Sequence, residues 1–134
     1  FRCFLRNEGP RLAQHVGAEL ILPRQVVTEE VRHRMLEDGG TYVTHRPAEY
    51  TFFRYQGFPL FPRQEIFFTM FWLAVHRNNL AWLRGGGLAL HWRVFADDTP
   101  PREGRVPLSD YAALGEAIAW TESRLGGQGG MSRG

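Results

Sequence analysis

The sequence predicts an α+β fold: a single compact domain over residues 1–125, with a mostly antiparallel sheet of four to five strands and three to four helices packed on it. Three observations lead there. Short stretches alternate apolar and polar side chains with period two, the mark of a half-buried strand. Between them lie segments with helix-capping residues at one end and glycines at the other. The links between successive strands are short turn clusters, which favours antiparallel neighbours.

Phe1–Arg6 (FRCFLR) sets Phe1, Cys3 and Leu5 against Arg2, Phe4 and Arg6, as a strand does. Asn7-Glu8-Gly9-Pro10 is a turn cluster, and Pro10 suits the first position of a short helix reaching Val16. Ala18–Leu22 (AELIL) reads as a strand stopped by Pro23. Thr28 caps a helix through Asp38, with Glu29 and Glu30 at its positive end and Gly39-Gly40 as the stop. Thr41–Arg46 and Tyr50–Gln56 form two strands joined by Arg46-Pro47-Ala48-Glu49. Gly57–Pro62 is an apolar loop.

Residues 65 to 87, EIFFTMFWLAVHRNNLAWLRGGG, pose the hardest choice. The apolar run from Ile66 to Val75 is half the roughly 20 residues a membrane helix needs, so no membrane span is expected. Its residue types allow a strand. Pro62, Gln64 and Glu65 suit a first helical turn and Gly85-Gly86-Gly87 a stop, so the flanks predict a helix over 62–84, broken at Asn78-Asn79. An aromatic helix of that kind exceeds what one small sheet can cover, and the surplus points to another chain. Leu88–Phe95 is the clearest strand, 97–104 a Pro-rich loop, and Ser109 caps a helix to Leu125 ended by Gly126-Gly127. The tail 126–134 (GGQGGMSRG follows Leu125) reads as a Gly-rich linker; Met131-Ser132-Arg133-Gly134 also has the form of a translation start, so a renumbered N-terminus fits as well.

The charge composition narrows the function classes. All 16 basic residues are Arg and none is Lys, which fits a GC-rich genome of bacterial or viral type. The net charge of only +2 and the absence of a basic run weigh against a dedicated nucleic-acid binder. The single cysteine, Cys3, allows no internal disulfide, and no signal peptide is visible; both fit a cytoplasmic protein. The chain begins at Phe1 and not at Met, as a processed or internal fragment does.

No motif carries chemistry. His15, His33, His45, His76 and His91 form no metal-ligand spacing, so no metal and no cofactor are expected. Cys3 reads as a packed thiol and not a nucleophile. The triple glycine lacks the Gly-Lys-Ser/Thr ending of a phosphate loop. A small enzyme would need His45, His76 or His91 to meet a carboxylate such as Glu65 in a cleft; the balance leans against an enzyme. What remains is an aromatic-and-Arg surface. Its candidates are Arg46, Arg54, Tyr55, Phe58, Phe61, Arg63, Trp72 and Trp82. Tyr, Trp, Phe and Arg are enriched at protein interfaces, and the same mixture stacks bases and meets phosphates. The plainer account is that these rings form the core. The expectation is a small binding or regulatory protein with a protein partner or self-association, a homo-oligomer included. The alternative is single-stranded nucleic-acid binding.

Overall fold

The computed structural model describes residues 1–37, 42–45, 48–97 and 99–133. Seven strands form two antiparallel sheets: β1 (Arg2–Arg6), β2 (Gly17–Pro23), β3 (Tyr42–His45), β4 (Glu49–Tyr55), β5 (Glu65–Met70), β6 (Ala89–Ala96) and β7 (Thr99–Pro107). Five of them make one sheet in the order β3-β4-β2-β6-β7, and β1 pairs with β5 in a separate two-stranded ribbon. The helices are α1 (Glu29–Glu37), α2 (Leu80–Arg84) and α3 (Ala112–Arg133), with a 3-10 turn at Arg24–Val26. The α+β class stands; the strand number exceeds the expectation and the sheet is two sheets.

The core lies on one face of the five-stranded sheet. Alternation along each strand places Leu20 and Leu22 of β2, Phe52 of β4 and Leu90 of β6 on that face. Val31 and Met35 of α1, Leu83 of α2, Leu114 of α3 and Phe71 close over them. The opposite face mixes Ile21, Phe53 and Phe95 with charged residues: Arg93 of β6 reaches Glu103 of β7 at 3.1 Å and Glu19 of β2 at 3.9 Å. Thr28 caps α1 as expected, its Oγ1 accepting the Val31 N–H at 3.2 Å. The expected stop at Gly39-Gly40 and the turn residues Arg46 and Pro47 lie outside the described residues.

Four local expectations fail for identifiable reasons. Pro10–Val16 is not a helix. Asn7 instead donates through Nδ2 to the carbonyls of Arg11 (2.7 Å) and Leu60 (2.9 Å), and Ala13 forms a two-way backbone bridge with Leu60. The helix expected over 62–84 is a strand, an irregular segment and one short helix. Glu65–Met70 is β5, because β1 offers a partner for its β-favouring residues. Residues 71 to 76 carry neither helix nor strand, with Phe71 in the core and residues 72–75 packed against it, and helix begins only after Asn78-Asn79, at Leu80. The Pro-rich segment expected as a loop is the edge strand β7, whose Pro100 and Pro101 fall in the register shift opposite Phe95, where no ladder bond is lost. α3 starts at Ala112, with the Tyr111 carbonyl accepting from the Leu114 and Gly115 N–H groups, and continues past Gly126-Gly127 to Arg133.

One polar side chain fixes this irregular segment. Asn79, only 4% exposed, donates through Nδ2 to the Gln25 carbonyl at 2.9 Å and the Ala74 carbonyl at 2.7 Å. Its Oδ1 accepts the His76 N–H at 3.0 Å. The Ala74 N–H in turn reaches the Val26 carbonyl at 2.8 Å. Asn79 thus ties the 3-10 turn, the segment 71–76 and the start of α2 into one unit, with its donors and acceptor satisfied.

Candidate functional site

The ribbon β1–β5 and the loop joining β4 to β5 carry four exposed phenylalanines. Along β1, Arg2, Phe4 and Arg6 point outward, while Cys3 and Leu5 are half-buried. Across from them Glu65 and Phe67 of β5 also point outward, with Arg6 opposite Glu65 and Phe4 opposite Phe67. The register shifts between Cys3 and Phe4, so Phe68 is an extra residue, a β-bulge. The bulge turns both Phe68 and Thr69 inward, which is why two consecutive β5 residues are buried. The Phe4 and Phe67 rings meet edge to face at 5.9 Å and remain 55% and 48% exposed.

The loop adds two more rings. Phe58 is 76% exposed and Phe61 62%, while Leu60 between them is buried. The loop has a fixed shape. The Phe61 N–H donates to Gln64 Oε1 at 2.9 Å, the Gln64 N–H to the Phe61 carbonyl at 3.0 Å, and the Arg63 N–H to the Asn7 carbonyl at 2.6 Å. Arg63 adopts φ +64°, a left-handed conformation unfavourable for a side chain with Cβ. The surrounding hydrogen bonds hold it there, so Phe61 and Arg63 are displayed on a preset turn.

The predicted site residues divide. Phe58, Phe61 and Arg63 sit together on this loop, and Tyr55, half-exposed, ends β4 just before it. Arg54 turns to the other side of β4 and places its guanidinium 5.8 Å from the Phe68 ring centre, under the ribbon. Trp72 and Trp82 are half-buried and packed against the core. Arg46 lies outside the described residues. Phe4, Phe67, Arg2 and Arg6 were not among the candidates. Their signal was present: the polar face of FRCFLR carries a phenylalanine between two arginines. Trp120, 62% exposed on α3 with Arg124 over its ring at 4.7 Å, is a separate exposed aromatic.

The titratable groups are dispersed. His15 Nδ1 contacts Asp97 Oδ2, and His33 Nε2 lies 3.0 Å from Glu37 Oε1 within α1. His76 Nδ1 accepts the Asn78 N–H at 3.1 Å. His91 shares a shallow cleft of about 180 Å³ with Glu49 and Arg105 on the sheet face opposite the core. Among the described residues no group of three or more His, Cys, Asp or Glu is placed to hold a metal ion. Burial pushes the Cys3 thiol up to about 11, so it keeps its proton at neutral pH. Among the described residues no helix is long and apolar enough to cross a membrane. No protein-family model, curated protein or solved structure matches the chain.

Proposed function

We propose that the chain is a small binding protein that works through the ribbon-and-loop surface, on a protein partner or by self-association, in a reducing, cytoplasmic setting. The observation that carries this reading is four exposed phenylalanines, Phe4 and Phe67 on the ribbon and Phe58 and Phe61 on the loop that leads into it. Large exposed apolar areas are uncommon on a monomer's surface and mark contact sites. Phe and Arg together are the residue types that anchor such contacts. A preset loop favours binding, because little ordering remains to be done when the partner arrives.

The test is co-purification from the native source with the wild-type chain and with the double variant Phe58→Ser, Phe61→Ser, alongside sedimentation of the pure protein. A partner, or a concentration-dependent dimer, that the wild type shows and the variant loses supports the reading. Equal recovery by both chains, with both monomeric, refutes it. The nucleic-acid alternative rests on the same rings beside Arg2, Arg6 and Arg63. It predicts binding to oligothymidine that weakens steeply with salt.

A further inference from the structure

Among the described residues the ribbon has two strands only, each with one edge that no other strand pairs. In an antiparallel pair alternate backbone N–H and C=O groups of each strand point away from the partner. β5 is anchored inward by buried Phe68 and Thr69, and β1 by half-buried Cys3 and Leu5. Among the described residues the backbone of β1 and its flanks bonds only to β5 and its flanks, so the far edge of β1 is one where a further strand can add. Two strands alone are a marginal unit, and a third stabilises them.

The side chains beside that edge define what would fit. Along β1 they run Arg2, Phe4, Arg6 at period two on the outward face, with no acid in the strand. Among the described residues neither Arg2 nor Arg6 has an ion-pair partner, even though Glu65 lies opposite Arg6 in register. Arg63 adds another exposed cation on the adjoining loop. A strand laid against β1 brings its own outward side chains directly beside these three. The complementary order is acid, apolar, acid at alternate positions. A second copy of β1 would set Arg2 and Arg6 against Arg6 and Arg2, which is repulsive. Glu65, in the outward face itself, interrupts a phosphate track.

Building on the proposed function, we infer that the partner is an extended protein segment with alternating acidic and apolar residues, and that it binds by adding a strand to the free edge of β1. Backbone hydrogen bonds supply the register, two carboxylates meet Arg2 and Arg6, and an apolar side chain packs on Phe4 beside Phe67.

The test uses a short fluorescent peptide with Asp, Phe and Asp at alternate positions separated by Thr, measured by anisotropy against the full chain. Binding should weaken roughly three- to tenfold in the double variant Arg2→Gln, Arg6→Gln, as loss of exposed ion pairs implies, and about tenfold in Phe4→Ser, as loss of an anchor implies. N-methylation of one alternate set of peptide amides should abolish binding and of the other set leave it intact, which no merely structural role for β1 would produce. Circular dichroism establishes that each variant is folded. Equal tolerance of both methylation patterns overturns strand addition. Equal binding of the peptide with Lys in place of Asp overturns the acidic preference while leaving a protein-binding surface in place. A dimer of the pure protein that Phe4→Ser dissolves also overturns the inference but not the proposed function. Binding of oligothymidine and of neither peptide overturns both. No binding of any probe at millimolar concentration overturns the inference.

Discussion

Replacing Asn79 by Ala should be among the most costly single changes in the protein, although it removes only one small polar group. The side chain makes three hydrogen bonds, to the Gln25 carbonyl, the Ala74 carbonyl and the His76 N–H, all between 2.7 and 3.0 Å. A hydrogen bond contributes about 1 kcal/mol net, and a buried group left without its partner costs about 1–3 kcal/mol. Alanine leaves three backbone groups without this partner, at a position 4% exposed. The expected loss is therefore about 3 kcal/mol, with water entry relieving part of a larger sum. Asn79→Asp is the informative companion. It keeps the acceptor for the His76 N–H but turns an oxygen toward two carbonyls, so it should cost at least as much as alanine. Asn78→Ala, at an exposed neighbour, should cost under about 0.5 kcal/mol. Urea unfolding followed by tryptophan fluorescence measures all three. A loss below about 1 kcal/mol for Asn79→Ala, or a milder effect for Asp than for Ala, would refute the assigned role.

Two further predictions follow from single positions. A Cβ at Gly104 of β7 would lie 2.6 Å from Cε2 and 2.8 Å from Nε1 of Trp92 on the neighbouring strand. Gly104→Ala must therefore displace an indole packed against the core, with an expected loss of about 1–3 kcal/mol and a shifted tryptophan emission spectrum; an unchanged thermal midpoint would show that the ring has room. Cys3 gives a pH prediction. Its folded thiol titrates near 11 against an ordinary value of 9.0, so at pH 8 it holds roughly one-hundredth of the usual thiolate. Native protein should react with a disulfide reagent far more slowly than urea-unfolded protein. The folded state keeps a proton that the unfolded state loses, so this contribution to stability is intact below pH 9 and falls away as pH rises toward 11. Equal native and unfolded reaction rates at pH 8 would contradict the burial of Cys3.

The elements that could be read in advance are those whose pattern is local. Leu88–Phe95 announced β6 through alternation alone, and Thr28 with Glu29 and Glu30 announced α1 through its cap. β5 was illegible because its local signals conflict. Pro62, Gln64 and Glu65 imitate a helix start, and the strand β1 that settles the matter lies some sixty residues earlier in the chain. β7 was illegible for the opposite reason: it is an edge strand, exposed along most of its length, so it carries no apolar alternation to read. The same division runs through the site. Phe58, Phe61 and Arg63 sit in a loop that contains Pro59 and Pro62, where a loop is legible from local sequence. Trp72 and Trp82 pack against the core, Trp72 from the irregular segment after β5 and Trp82 from α2, and no local pattern separates such rings from exposed ones. Phe4 and Phe67 meet only through cross-strand pairing, which neither segment reveals by itself.

Whether the exposed rings need a partner turns on what else could retain them. Phe4 and Phe67 have a structural account, since an edge-to-face pair across two strands contributes about 0.5–1.5 kcal/mol to the ribbon. That account does not extend to Phe58 and Phe61. They are more exposed than either member of the pair, and among the described residues neither ring stacks on another ring or lies under a cation. The turn that carries Phe61 is fastened by Gln64 and Asn7 through its backbone, not through its ring. Serine at these two positions should therefore leave the fold's stability almost unchanged. Loss of binding in that double variant would report on the surface itself and not on a damaged core. Phe58 and Phe61 are thus exposed rings for which the described fold offers no use, and their loop leads into the ribbon in which, among the described residues, Arg2 and Arg6 of β1 have no ion-pair partner.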